Sequence, residues 1–240
     1  MTEEGYFVTY FPSTTPVDTW EDARSAVPIG VEVAMGWGLL LLEKFLEERR
    51  GYYQQIFVSR PHNMQALAAV RQNRPELFEG IRLTYDAEAL FASRDEVKAN
   101  LFGDKILLKR AARDRLSELA LVTSADQVTA VNQAEADQFA AASGKPARVL
   151  GHSVEPMPTE AAFGDRKDIL FLGRLADDGS PNVDSLIWYI DHVQPRLDGL
   201  LVDQQPLTVV GLCSAPSISE LDLAKVRLLG VIDELQPIFN

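Results

Sequence analysis

Short apolar runs of strand length alternate with longer amphipathic stretches along most of this chain, and that alternation limits what it can fold into. Tyr6 to Phe11, Gln55 to Ser59, Ile81 to Tyr85, Gln127 to Val131 and Arg148 to Leu150 read as strands. Between them lie predicted helices. Gly38 to Arg50 carries Glu43, Lys44, Glu47 and Glu48 off its leucine face. Ala66 to Arg74 is preceded by Pro61 in the first helical turn, where a missing N–H is tolerated. A long helical region from Arg94 to about Leu121 is expected to break near Gly103, and Gln133 to Ala142 is closed by Gly144. Such a pattern predicts βαβ units and a mainly parallel sheet covered by helices, an α/β fold.

The stretch GHSVEPMPTEAAFGD, Gly151 to Asp165, interrupts the alternation with Pro156, Pro158 and Gly164 and is read as a domain boundary. The expected organisation is a first domain over 1–153, a linker over 154–165 and a second unit over 166–240. In the second unit, strands are expected at Ile169 to Leu172, Leu207 to Val210 and Val226 to Leu229. A helix is expected over Val183 to Leu197, and another opens at Asp233-Glu234 with Asp233 as its N-cap. The second unit is small for a self-sufficient α/β domain, and the expectation is that it is incomplete at its C-terminus.

With 46% hydrophobic and 24% charged residues the chain can bury a core, and neither value points to disorder. A net charge of -12 leaves no excess of cation for phosphate backbones, which argues against a nucleic-acid partner. The single cysteine, Cys213, excludes an intramolecular disulfide and any CxxC metal site. No run is long enough to span a bilayer and the N-terminus does not read as a signal peptide, so the expected setting is the cytoplasm, with peripheral contact at a membrane surface left open.

The stretch DILFLGRLADDGSPNVDSLIWYIDHVQPRL, Asp168 to Leu197, carries the strongest chemical signal. A strand ends in Gly173-Arg174, and Pro181-Asn182 then opens a helix, so a turn, a cation and a helix N-terminus converge at one strand end. That is an anion site in form, and an ordinary βα loop with a surface arginine is an equal reading. LTVVG ends in Gly211 and VRLLG in Gly230, so three successive strands end in glycine, where a ligand or another backbone can approach closely.

In the first domain, VSRPHNM places Ser59, Arg60, His62 and Asn63 at a strand end. The following strand ends in Asp86 and Glu88, which could bind an acceptor hydroxyl, act as a base or cap the helix near Ser93, capping being favoured for Glu88. Lys105, Lys109, Arg110, Arg113 and Arg115 form a basic cluster that reads first as a solvated face, with a membrane-surface or acceptor-phosphate patch as the alternative. There is no GxSxG elbow, Walker loop, HExxH motif or early GxGxxG, and three scattered histidines (His62, His152, His192) do not suggest zinc.

The order of these motifs resembles the group 1 glycosyltransferases of the GT-B fold. The resemblance is carried by VSRPHNM, YDAEALFASRDE, VTSADQVTAVNQAEADQF, the linker GHSVEP, the long Asp168 to Leu197 stretch, LTVVG and VRLLGVIDELQPIFN, and it covers the chain from about Tyr52 onward. It implies two Rossmann-like domains, the acceptor lying mainly on the first and a nucleotide-diphosphate sugar on the second. It implies transfer with retention and no metal or other cofactor, the nucleotide-sugar being a co-substrate. By position, Gly173, Arg174 and Asn182 match the loop that steadies the donor diphosphate, Gly211 a glycine beside the nucleotide, and Val231 and Ile232 the place of the base. Asp86 and Glu88 match the acceptor-side loop, with Arg60 and His62 beside it, and Asp86 and Arg174 are the catalytic candidates.

Three features depart from the family. Asp178, Gly179 and Ser180 stand where a lysine often follows the arginine. The glutamate-rich donor clasp would lie beyond Asn240, and no glycine-rich first turn precedes Tyr6. The expectation is a hexosyltransferase-type enzyme of polysaccharide biosynthesis, or a fragment of one, acting on a glycan or lipid-linked acceptor. The alternative is a non-catalytic GT-B-like module that binds a sugar-nucleotide or a partner.

Overall fold

Every strand pairing among the described residues of the computed structural model is parallel. The structure describes residues 2–14, 19–151, 153, 156, 158–160, 162–166, 169–198, 200, 206–221, 223–224 and 226–239. Of the residues singled out from sequence, His152, Asp168 and Asn240 lie outside these, as do Val154, Glu155, Met157 and Ala161 of the expected linker. The chain divides into two compact units, Met1–Val154 and Glu155–Asn240. Among the described residues no helix is long and apolar enough to cross a membrane.

The first unit runs β1 (Val8–Tyr10), α1 (Trp20–Ala26), β2 (Val31–Val33), α2 (Leu42–Glu48), β3 (Gln55–Ser59), α3 (Pro61–Asn73), β4 (Arg82–Asp86), α4 (Ala92–Phe102), α5 (Lys105–Leu121), β5 (Gln127–Ala130), α6 (Gln133–Ser143) and β6 (Ala147–Val149). β1 pairs with β2, and a separate ladder runs in the order β3-β4-β5-β6. The middle strands are buried at consecutive positions, Leu83, Thr84 and Tyr85 on β4 and Val128, Thr129 and Ala130 on β5, so both faces of the sheet are covered. Met64, Leu67, Val122 and Phe139 from the helices complete that core.

Local chemistry accounts for the helix ends. The long helical region breaks as expected, because Gly103 takes a left-handed conformation (φ 65°) and closes α4. Asp104 then caps α5 by accepting the Ile106 and Leu107 N–H groups, each at 2.9 Å. Asn132 caps α6 at the Glu135 N–H, and Gly144 (φ 68°) ends it. The pattern did not predict α1 or β2, each of which is short and carries no long apolar run.

The second unit runs β7 (Ile169–Leu172), α7 (Pro181–Trp188), α8 (Gln194–Asp198), β8 (Leu207–Val210) and β9 (Val226–Gly230), with strand order β7-β8-β9. All four residues of the central strand β8 are buried, and Leu207 and Val209 pack with Leu175, Val183, Leu186 and Ile218. The single helix expected over Val183 to Leu197 is instead α7 and α8 joined by a π-helical turn, Tyr189–Val193. The helix expected at Asp233-Glu234 is corrected: the described residues form one 3-10 turn, Gln236–Ile238, after Leu235. A single turn fixes several dihedrals for very few hydrogen bonds, so a cap-like Asp-Glu pair does not suffice to start a helix there.

Asp126 fastens the start of β4. It accepts the Leu83 N–H at 2.7 Å and lies 3.4 Å from Arg71. Burial alone would raise its carboxyl, but the Leu83 N–H and the Arg71 charge hold it below its ordinary value of 3.8. A depressed folded-state value stabilises the protein above pH 3.8 and is lost as pH falls through the lower folded one. Asp126→Asn is expected to cost about 1 kcal/mol near neutral pH, the size of one hydrogen bond to a half-exposed carboxylate, with the difference shrinking in acid. Urea unfolding of both proteins over a pH series measures it.

Candidate functional site

Parallel pairing brings the carboxyl ends of neighbouring strands together, and in the first unit three of them meet at Asp86. This residue ends β4; Ser59 Oγ, at the end of β3, donates to its Oδ2 at 3.2 Å, and Thr129 Oγ1, on β5, donates to its Oδ1 at 2.7 Å. The carboxylate is therefore fixed from both flanking strands. The Arg60 N–H donates to the Asp86 carbonyl at 3.1 Å and the Ala87 N–H to the Thr129 carbonyl at 3.2 Å, continuing the ladder one step past the strands.

Beside Asp86 stand the two non-glycine residues of the described chain that have positive φ, Arg60 (76°) and Glu88 (56°). They are bonded to each other: Arg60 Nε lies 3.2 Å from Glu88 Oε2. Arg60, with ψ near 146°, occupies a region that side-chain-bearing residues rarely adopt. Residues held in such conformations concentrate at functional sites, so the pair supports the strand-end reading of this segment. His62 is exposed in the first turn of α3, and Asn63 Nδ2 donates to the Ser59 carbonyl at 2.9 Å. Arg60, His62, Asn63 and Glu88 line an open cleft of about 1710 Å³ in this unit.

The capping role expected for Glu88 is corrected. Helix α4 starts at Ala92 with Phe91 as its N-cap, which offers no side-chain acceptor. The acceptor comes from α5 instead, where Glu118 takes the Ala92 N–H at 3.1 Å. Burial raises the Glu118 carboxyl above its ordinary value, against the opposing pull of the Ala92 and Phe91 N–H groups. Sequence reasoning missed Glu118 as a cap; the available signal was a helix start lacking Ser, Thr, Asp or Asn. The basic residues lie apart from these strand ends, along α5. Arg115 is bound inside the α4–α5 hairpin to Glu96 at 2.9 Å, and Arg110 and Arg113 each lie 3.4 Å from Asp114.

In the second unit the three strand-end glycines form one row. The Gly173 N–H donates to the Val210 carbonyl at 3.0 Å, and the Gly211 N–H to the Gly230 carbonyl at 2.7 Å. A Cβ on Gly211 (φ 133°) would fall on the carbonyl oxygen of Gly173, so the approach of these two backbones requires glycine. Gly173 is crowded as well, by Asn182 and Phe171.

The Arg174 side chain is exposed, and its carbonyl accepts the Asn182 amide at 3.1 Å. Asn182 thus anchors the turn after β7 to the first turn of α7, whose N-cap is Ser180. Asp178 accepts the N–H and hydroxyl of Ser217. Val231 is exposed and Ile232 half-buried just past β9. The structure therefore brings Gly173, Arg174, Asn182 and Gly211 together, and Arg60, Asp86 and Glu88 together in the other unit.

The two units resolve strand-end crowding in opposite ways, which gives two expected outcomes. Gly211→Ala should lower the unfolding free energy by about 3 kcal/mol through overlap and an unfavourable φ. Arg60→Gly should leave thermal stability unchanged or higher, because relief of about 1–3 kcal/mol of backbone strain outweighs an exposed ion pair of about 0–1 kcal/mol. A loss of melting temperature in Arg60→Gly would count against strain at that position.

No protein-family model matches the chain, and no curated protein matches it. Among solved structures it is similar to a UDP-glucosyltransferase from Polygonum tinctorium capable of glucosylating indoxyl, in complex with 3,4-dichloroaniline, at a TM-score of 0.46 and 11% identity. The match covers 92% of this chain, which spans 65% of the length of that one. A likeness of that size assigns no residue and no activity.

Proposed function

We propose that this chain belongs to a nucleotide-sugar-dependent glycosyltransferase of the group 1, GT-B type, with acceptor-side residues on the first unit and donor-side residues on the second. The observation that carries the reading is the row Gly173-Gly211-Gly230 at adjacent strand ends, with exposed Arg174 in the turn that leads to α7. An exposed guanidinium beside a helix start, at the carboxyl ends of adjacent parallel strands, suits a diphosphate. In this reading Arg174 offsets charge that develops on the leaving diphosphate, and the close Gly173–Gly211 backbone contact keeps the strand ends compact beside it. Asn182 holds the turn, and the base rests against Val231 and Ile232.

On the first unit Asp86 binds or deprotonates an acceptor hydroxyl. Each of its oxygens accepts one donor and retains further acceptor capacity. Arg60, His62 and Glu88 contact the rest of the acceptor, a glycan or a lipid-linked glycan. The chemistry needs positioning and charge stabilisation, with no metal step.

The experiment is calorimetric titration with UDP, GDP and their hexose conjugates. One of them should bind saturably, and Arg174→Ala should weaken it about tenfold, as expected for loss of a charge-assisted hydrogen bond of about 1.5 kcal/mol. Its melting temperature should not move, because the side chain is exposed. Absence of binding across the donor panel would overturn the transferase reading. Binding without turnover on any acceptor would favour the non-catalytic module.

A further inference from the structure

The hairpin of α4 and α5 sorts its charges by face. In α4, Arg94, Val97, Lys98 and Leu101 recur at three- and four-residue spacing and are all exposed, while Ala92 and Ala99 are buried on the opposite side. In α5, Lys105, Lys109, Ala112, Arg113 and Leu116 form the exposed stripe, and Ala111 is buried behind it. Neither stripe contains an acid. Asp114 and Glu118, which interrupt the basic cluster in sequence, are both turned off it: Asp114 lies 3.4 Å from Arg110 and from Arg113, and Glu118 takes the Ala92 N–H at 3.1 Å. Glu96 pairs with Arg115 at 2.9 Å, and Asp104 accepts two N–H groups at the start of α5. Asp95 is half-buried, at helical spacing from both Ala92 and Ala99. Lys98, Lys105 and Lys109 make no ion pair among the described residues.

Apolar side chains stand clear at the tip of the hairpin. Around the turn at Gly103, Leu101 is 75% exposed, Phe102 76% and Ile106 83%. Val97 and Leu116 extend the apolar component down the two stripes. Residues 92–121 hold seven cations against five acids, in a chain whose net charge is -12. The hairpin is thus locally basic on an acidic protein, and its cations alternate with projecting apolar groups.

That composition selects among partners. A second copy would set lysine against lysine, a like-charge juxtaposition that interfaces avoid. A nucleic acid would find one exposed ring, Phe102, where single-strand binding uses several for stacking. A protein partner would need an acidic pocket shaped to a projecting tip. A bilayer interface takes apolar side chains at any point along it and, when anionic, attracts the cations beside them. We propose that the α4–α5 hairpin docks on an anionic lipid surface. Leu101, Phe102 and Ile106 enter the boundary between headgroups and acyl chains, and Lys98, Lys105 and Lys109 lay their stems along it with the ammonium groups among the headgroups. The rest of the chain carries net negative charge and is repelled by the same surface, so the field favours approach with the hairpin foremost.

The inference concerns binding and holds whether or not the chain transfers sugar, so its readout is sedimentation with vesicles and not activity. The full chain is spun with vesicles of phosphatidylcholine containing about 30% phosphatidylserine, and with vesicles of phosphatidylcholine alone. At low salt the anionic vesicles should carry down at least about tenfold more protein, and salt of about 0.5 M should release most of it. Combined Lys98→Gln, Lys105→Gln and Lys109→Gln should lower the partition coefficient at least about tenfold, because each cation near such a surface contributes a severalfold factor. Leu101→Ser with Phe102→Ser should lower it by a similar factor at unchanged charge. Both side chains are exposed, so the melting temperature of that variant should not move. No sedimentation with the anionic vesicles overturns the proposal, as does sedimentation that either variant leaves unchanged. So does a dimer that Phe102→Ser dissolves, because a second copy then covers the tip.

Discussion

Parallel pairing is the constraint on which the rest of this protein depends. In each unit it sends the carboxyl ends of neighbouring strands to one side, where the chain must leave the sheet and turn toward a helix. Backbones crowd there, and the two units meet the crowding differently. The second unit removes side chains: the Gly173 carbonyl stands where a Cβ of Gly211 would fall, and Gly230 takes a positive φ of 71°. The first keeps its side chains, and two of the residues that carry them, Arg60 and Glu88, take positive φ and pair with each other. One solution packs backbone against backbone; the other presents charges.

What could be read in the sequence followed from local physics. Apolar strand runs, Pro61 in a first turn, and Gly103 and Gly144 as left-handed helix ends each depend on a few adjacent residues. The α/β class and the row of strand-end glycines came from the same kind of signal. What could not be read depends on partners far along the chain. Ser59 and Thr129 meet at Asp86 from 27 and 43 residues away, and Glu118 caps a helix that begins 26 residues earlier. Glu88 had the right chemistry for a local cap, and a longer-range partner, Arg60, took it instead. Asp233-Glu234 had the look of a helix start without the hydrogen bonds that a helix needs to propagate.

Glu118 ties the loop after β4 to the helices. The loop from Asp86 to Phe91 leaves β4 and must deliver α4 without a capping residue of its own. A carboxylate brought from α5 supplies the missing acceptor, and its burial raises the cost of its charge. The α4–α5 hairpin and the loop are thus coupled, since withdrawing α5 would leave the first turn of α4 unsatisfied. The loop's other anchor is the Arg60–Glu88 pair, so it is held at both ends by charge and in neither case by a neighbour in sequence.

Asp86 shows how the same geometry dictates residue type. Both of its oxygens accept a hydroxyl, one from each flanking strand, so the position calls for two acceptor atoms on one rigid group. An asparagine offers only one, and its amide would face a donor. A glutamate would carry the group a bond farther from β4, out of line with hydroxyls fixed on β3 and β5. The side chain is therefore defined by the sheet before any substrate is considered. The sheet also determines what surrounds it: among the described residues β3 pairs with β4 alone, Ser59 ends it, Arg60 follows, and Asn63 of α3 bonds back to the Ser59 carbonyl. The position of Arg60 is consequently set through β4 and Asp86, which makes this carboxylate the structural centre of the site that it is also proposed to serve chemically.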